Sequence, residues 1–196
     1  MPKTLHQSRH KTIKLNIMKT SILSFTLLLT AFFSAQAQKG NNQISVAAEA
    51  GVPIGDFSDG VKTGFGGSVK GLFGVGKTGQ LTFTTGYSEY KAKEISDGMD
   101  FSIGIVPLLA GYRLSMNGLY VEPQAGYGIY SAKVKYEGDR ISSSNGVFTY
   151  ALGVGYTKNK IDLGVRYQAG TEDGETMSLV GIHVGYNFSL GKGDKK

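Results

Sequence analysis

Cysteine is absent from this 196-residue chain. That removes a disulfide framework, a thiolate metal site and lipoprotein-type acylation. Tryptophan is also absent, and proline occurs only four times. Acidic residues are missing from the first 37 positions, which nonetheless carry Lys3, Arg9, Lys11, Lys14 and Lys19. The formal charge is +6, and without those five bases the remainder is close to +1. The basic excess therefore belongs to the leader, and a nucleic-acid-binding face is not expected. Nor is there an apolar run long enough for a transmembrane helix: SILSFTLLLTAFF, at 21–33, falls short of the ~20 residues required.

That short run instead has the parts of a secretory signal. Lys19 supplies the charged region, the apolar run follows, and Ala35-Gln36-Ala37 forms an A-x-A cleavage site before Gln38. Residues 1–37 are thus expected to be a signal peptide, with 1–17 an over-extended start and Met18 the true one. Residues 38–196 are expected to form one exported domain.

After Gln38 no helical period is sustained. Alternation takes its place. In LYVEPQAGYGIY, Leu119 to Tyr130, one register holds Leu119, Val121, Ala125, Tyr127 and Ile129. The other holds Tyr120, Glu122, Gln124, Gly126, Gly128 and Tyr130. Such a pattern predicts a strand with two unlike faces. Eight strands are expected, near 43–52, 63–75, 80–91, 100–114, 118–136, 146–158, 160–170 and 177–190. Tight turns are expected after the second, fourth and sixth. Longer polar loops (PIGDFSDGVK, KEISDGM, EGDRISSSN and TEDGET) are expected after the first, third, fifth and seventh. Short turns at one end and longer loops at the other match an eight-stranded antiparallel transmembrane β-barrel. Its sheet must close, because an open edge would leave backbone groups unsatisfied in hydrocarbon.

The apolar register is expected to face lipid, as in Ile44, Val46, Phe83, Leu152, Val154, Ile182 and Val184. The opposite register is expected to build a polar, charge-paired interior. It contains the acids Glu49, Glu122 and Asp162, the bases Lys70, Arg113 and Arg166, and His183. Strand four changes phase at Pro107: Phe101, Ile103 and Ile105 precede it, and Leu108, Ala110, Tyr112 and Leu114 follow. A bulge at the proline is the expected cause, with Arg113 turned inward. A soluble lipocalin-like barrel is the rival fold. It would reverse the faces, setting the apolar register around a ligand cavity.

YVEPQAGYG at 120–128, VPLLAGYRL at 106–114, GIHVGYNFSL at 181–190 and AEAGVPIGDFSDG at 48–60 resemble the small outer-membrane β-barrel domain family. This is the OmpX/OmpW-like "porin family" group of Gram-negative bacteria. The resemblance spans essentially the whole mature chain and implies an eight-stranded barrel in the outer membrane. It also implies lipid around the wall and the barrel-assembly machinery as the partner during insertion. Because the family has no single activity, no substrate is implied.

Three motifs tempt otherwise. GLFGVGKT, 71–78, fits the phosphate-loop pattern G-x-x-x-x-G-K-[ST], yet Gly79 and an alternating strand follow where a helix is required. It is expected to be a hairpin turn. His183 is the one histidine after Gln38, and it has no H-x-S pattern beside it. The loop acids, including Asp56, Asp59, Asp97, Asp100 and Asp139, lack the spacing of a calcium loop. Neither catalytic residues nor cofactor nor metal is expected. The leading expectation is a non-enzymatic barrel with an envelope-structural or surface-interaction role, its loop ligand unknown. The alternative is a porin-like channel for small solutes or hydrophobic molecules.

Overall fold

A computed structural model describes residues 41–93, 99–136, 139–172 and 174–190. The leader with its cleavage positions Ala35, Ala37 and Gln38, the tip at 94–98 and the tail after Leu190 lie outside the described residues.

Eight strands form one closed antiparallel barrel in sequence order. They are β1 (Gln43–Ile54), β2 (Gly64–Val75), β3 (Gly79–Lys91), β4 (Met99–Met116), β5 (Leu119–Tyr136), β6 (Asp139–Lys158), β7 (Ile161–Glu172) and β8 (Glu175–Ser189). A short helix, α1 (Phe57–Gly60), follows β1. Local chemistry sets the turns. Asn117 and Gly118 have φ of 52° and 87°, and Asn159 and Lys160 have 50° and 71°. Two successive positive φ values define the type I′ turn, whose twist matches that of the flanking strands. Asn and Gly reach this conformation at low cost, whereas Lys160 is strained in it.

Two expected loops prove to be strand. The EGDRISSSN segment is largely ladder, with β5 and β6 paired up to Tyr136↔Asp139. TEDGET likewise pairs up to Glu172↔Glu175. β6 pairs with β7 only from Phe148↔Thr171. Its outer part, from Asp139 to Val147, therefore rises beside β5 with its other edge unpaired among the described strands.

The bulge at Pro107 is also absent. β4 keeps one register against β5 from Met99↔Tyr136 to Met116↔Leu119. What the proline does instead is interrupt the ladder with β3, which runs to Thr85↔Leu108 and resumes at Ser88↔Ile105. A missing N–H accounts for that gap. Phe101, Ile103, Ile105 and Leu109 belong to the same inward face as Arg113.

The faces separate cleanly. Phe83 (57 % exposed), Leu152, Val154, Ile182 (59 %) and Val184 stand on the outer wall. A band this apolar exceeds what a water-facing surface carries and matches a wall against lipid. The lipocalin-like arrangement is thereby excluded. Inside, two storeys are stacked. Polar and charged side chains fill the half nearest the three tight turns. The outer half, expected to be polar, is instead an apolar cluster of Val61, Tyr90, Ile105, Tyr130, Val147 and Leu179, with Phe57, Ile103 and Met177 against it.

Candidate functional site: a charged plug across the lumen

Alternation along six strands delivers the charged storey. Arg113 of β4 lies at its centre, 2 % exposed. Its Nη1 reaches Asp162 Oδ2 of β7 at 2.6 Å and its Nε donates to Glu122 Oε2 of β5 at 2.8 Å. Nη2 lies 2.7 Å from the same Glu122 oxygen, a close ion pair set off the hydrogen-bond axis. The guanidinium carbon sits 3.7 Å from the Tyr120 ring centroid, a cation–π contact.

Each carboxylate has further partners. Lys70 Nζ of β2 lies 2.9 Å from Glu122 Oε1 and donates to Oε2 at 3.0 Å. Gln124 Nε2 reaches both Glu122 Oε1 (2.9 Å) and Thr84 Oγ1 (2.8 Å). The Tyr120 hydroxyl donates to Asp162 Oδ1 at 2.6 Å. His183 Nε2 lies 3.2 Å from that oxygen and 3.1 Å from the Tyr120 hydroxyl. A second group stands apart: Arg166 Nη2 donates to Glu49 Oε2 at 2.9 Å and Ser68 Oγ to Glu49 Oε1 at 2.6 Å.

All seven residues expected in the interior network face the lumen. The structure joins Lys70, Arg113, Glu122, Asp162 and His183 into one cluster and sets Glu49 with Arg166 in another. The alternation places Tyr120 in the inward register as a large side chain but gives it no part in the charged network, where it bridges Asp162 and His183. Its place two residues before Glu122, on the same face, was the available signal.

The glycines opposite make room. A Cβ on Gly155 would strike the Tyr120 hydroxyl, and one on Gly164 would meet that hydroxyl at 2.6 Å. Between the storeys remains a cavity of about 20 Å³, bordered by Glu49, Arg166, Gln168, Tyr90 and Ile105. Such a space holds about one water and admits no substrate. His183, Asp162 and Tyr120 form a hydrogen-bonded trio. Tyr120 and His183 also border an apolar hollow of about 1080 Å³, lined chiefly by wall residues such as Leu119, Val154, Leu163 and Ile182. Among the described residues, no three His, Cys, Asp or Glu side chains are placed to hold a metal ion. GLFGVGKT spans the end of β2 and its turn, and β3 follows directly.

A closed eight-stranded barrel of this kind matches a defined group of proteins. The family model for the outer membrane protein beta-barrel domain matches residues 25–190. The chain belongs to this family. Solved barrels of the same fold include Ail, the attachment invasion locus protein of Yersinia pestis, in complex with the heparin analogue sucrose octasulfate. That structure is 18 % identical, with 77 % of this chain and 100 % of Ail covered at a TM-score of 0.59. Neisserial surface protein A is 15 % identical over 76 % of this chain and 97 % of its own, at 0.54. The N-terminal barrel domain of Pseudomonas aeruginosa OprF is 15 % identical over 76 % and 100 %, at 0.51. No curated protein matches the chain. As an outer-membrane barrel, the chain shares its fold with these neighbours, while its plug is built from the residues named above.

Proposed function

We propose that this outer-membrane barrel is non-enzymatic and non-conducting, and serves the envelope as a structural and surface-interaction element. The observation carrying this reading is the filled lumen. A cross-lumen ion cluster occupies one half, an apolar cluster the other, and a cavity of about 20 Å³ lies between them. A small-solute channel needs a continuous wet path, and an eight-stranded barrel has an interior just wide enough for its side chains. The protruding β5–β6 ladder supports the surface half of the proposal, since it presents Ile141 at 73 % exposure beyond the apolar band. Export on a leader cleaved after Ala37, and insertion by the barrel-assembly machinery, belong to the same proposal.

Planar-bilayer recording of the folded protein tests it. The expected result is a silent membrane, with insertion verified by a heat-dependent gel-mobility shift. Stepwise unitary conductance from the unaltered protein would instead establish the channel.

A further inference from the structure

One feature of the outer wall is not explained by the plug or the protruding ladder. Val61 pairs with Ala92 at the outer mouth. Lys62 N donates to Lys91 O at 2.7 Å, and Lys93 N to Gly60 O at 3.1 Å. Val61 is buried, so its neighbour Lys62 points away from the barrel axis, beside Lys91. Lys91 pairs with Ser102, and Ser102 with Lys133. Lys62, Lys91 and Lys133 thus form one outward-facing row across neighbouring strands, with Lys93 one step above.

Height and direction identify the partner. Tyr87 lies on the same outward face of β3, four residues below Lys91. At ~3.3 Å per residue and a tilt of ~40°, the row stands roughly 10 Å above that ring. Lys133 reaches back down: its Nζ donates to the Tyr87 hydroxyl at 2.9 Å and lies 5.2 Å from the ring centroid. Headgroups occupy the ~5–8 Å beyond the hydrocarbon. With the Tyr87 ring in the aromatic girdle at the hydrocarbon edge, the backbone of the row stands at the outer limit of the headgroup layer, and lysine side chains bending down as Lys133 does bring their ammonium groups into it. Among the described residues, two acids share this face. Glu89 accepts from the Tyr87 hydroxyl at 3.4 Å, and Asp100 stands one step above Ser102. On the opposite wall the corresponding outward positions are Thr171, Thr176, Ser178 and Ile54, all uncharged.

The geometry points to a binding site for phosphate groups of the outer-leaflet glycolipid, formed by Lys62, Lys91 and Lys133 and oriented by Tyr87. It rests on the outer-membrane placement, not on the surface-interaction reading. A lipid docked there would give the barrel a preferred face toward its lipid neighbours.

The test uses the folded barrel in phosphatidylcholine nanodiscs, titrated with labelled lipid A or with the same lipid A stripped of phosphate. Variants are K62S/K91S/K133S, a control at the opposite rim (K77S/K158S/K160N), and Y87F. Lipid A affinity is expected to fall about five-fold per outer lysine removed. It should fall less in Y87F, stay constant in the control, and be absent for dephosphorylated lipid A. Equal binding of both lipids, or an equal loss in the control, overturns the site. So does tighter binding of soluble heparin than of lipid A, which would make the row a site for polyanions from the medium. If the triple variant does not give a heat-modifiable barrel, K91S and Y87F carry the same test, and an unchanged affinity in both overturns it.

Discussion

Arg113 is the side chain on which the charged storey depends, because it neutralises Glu122 and Asp162 together. Buried ion pairs gain little over well-packed apolar groups, but removing one partner strands the other. Arg113→Met is therefore expected to destabilise the folded barrel by about 3–5 kcal/mol, measured by urea unfolding in lipid vesicles. A midpoint unchanged from wild type would show that the two carboxylates find compensation elsewhere. The glycines give a paired prediction. A methyl at Gly155 would collide with the Tyr120 hydroxyl and the Leu163 carbonyl, whereas one at Gly146 has nothing within 4 Å. Gly155→Ala should cost about 1–3 kcal/mol by the same assay, and Gly146→Ala should stay within ~0.5 kcal/mol.

At the level of the element, the β5–β6 hairpin separates into two parts with different requirements. Below Phe148↔Thr171 the strand is paired on both sides, and above it on one side only. Replacing Ala132–Ser143 with an Asn-Gly turn should preserve the heat-dependent mobility shift, since the β6–β7 and β1–β8 ladders are untouched and β4–β5 loses only its pairs from Ile103↔Ala132 outward. Loss of that shift would mean that the protruding ladder is needed for closure. The same division explains what the sequence conveyed. Where lipid presses on one face, period-two alternation is enforced, so β1, β6 below Phe148 and β8 are legible from residues such as Val46, Leu152 and Ile182. Above the membrane nothing enforces it, and Ser142, Ser143, Ser144 and Asn145 look like loop although they are strand. β4 misleads for the converse reason. Ile103 and Ile105 are apolar because they pack with Tyr90 and Tyr130 inside the outer storey, and an alternation rule reads every apolar residue as lipid-facing. The charged plug was legible as a set of inward positions. The division into two clusters was not, because it depends on cross-lumen distances that no spacing along the chain encodes.

For the whole molecule, the fixed charges of the lumen lie within ion-pair distance of one another, while those of the outer lysine row face outward. Salt should separate the two. Raising ionic strength from about 0.05 to about 1 M shrinks the screening length severalfold but acts weakly on buried pairs. The urea midpoint of the folded barrel is expected to hold nearly constant across that range, after correction using the Arg113→Met variant. A steep fall would indicate that water and ions enter the lumen.

Every strand pairs with its sequence neighbours except at one seam, where β1 meets β8 from Gln43↔Ser189 to Ile54↔Ser178. Leu190 N donates to Asn42 O at 2.8 Å just below it. Closing so long a loop costs roughly 4 kcal/mol of chain entropy, and the seam ladder must offset it. Once closed, the barrel is a ring, and a ring has no intrinsic starting point. A circular permutant with Leu190 joined to Asn42 by a short linker and new ends between Asn117 and Gly118 should build the same wall. Its entropic cost would then move from the β1–β8 seam to the junction of β4 with β5.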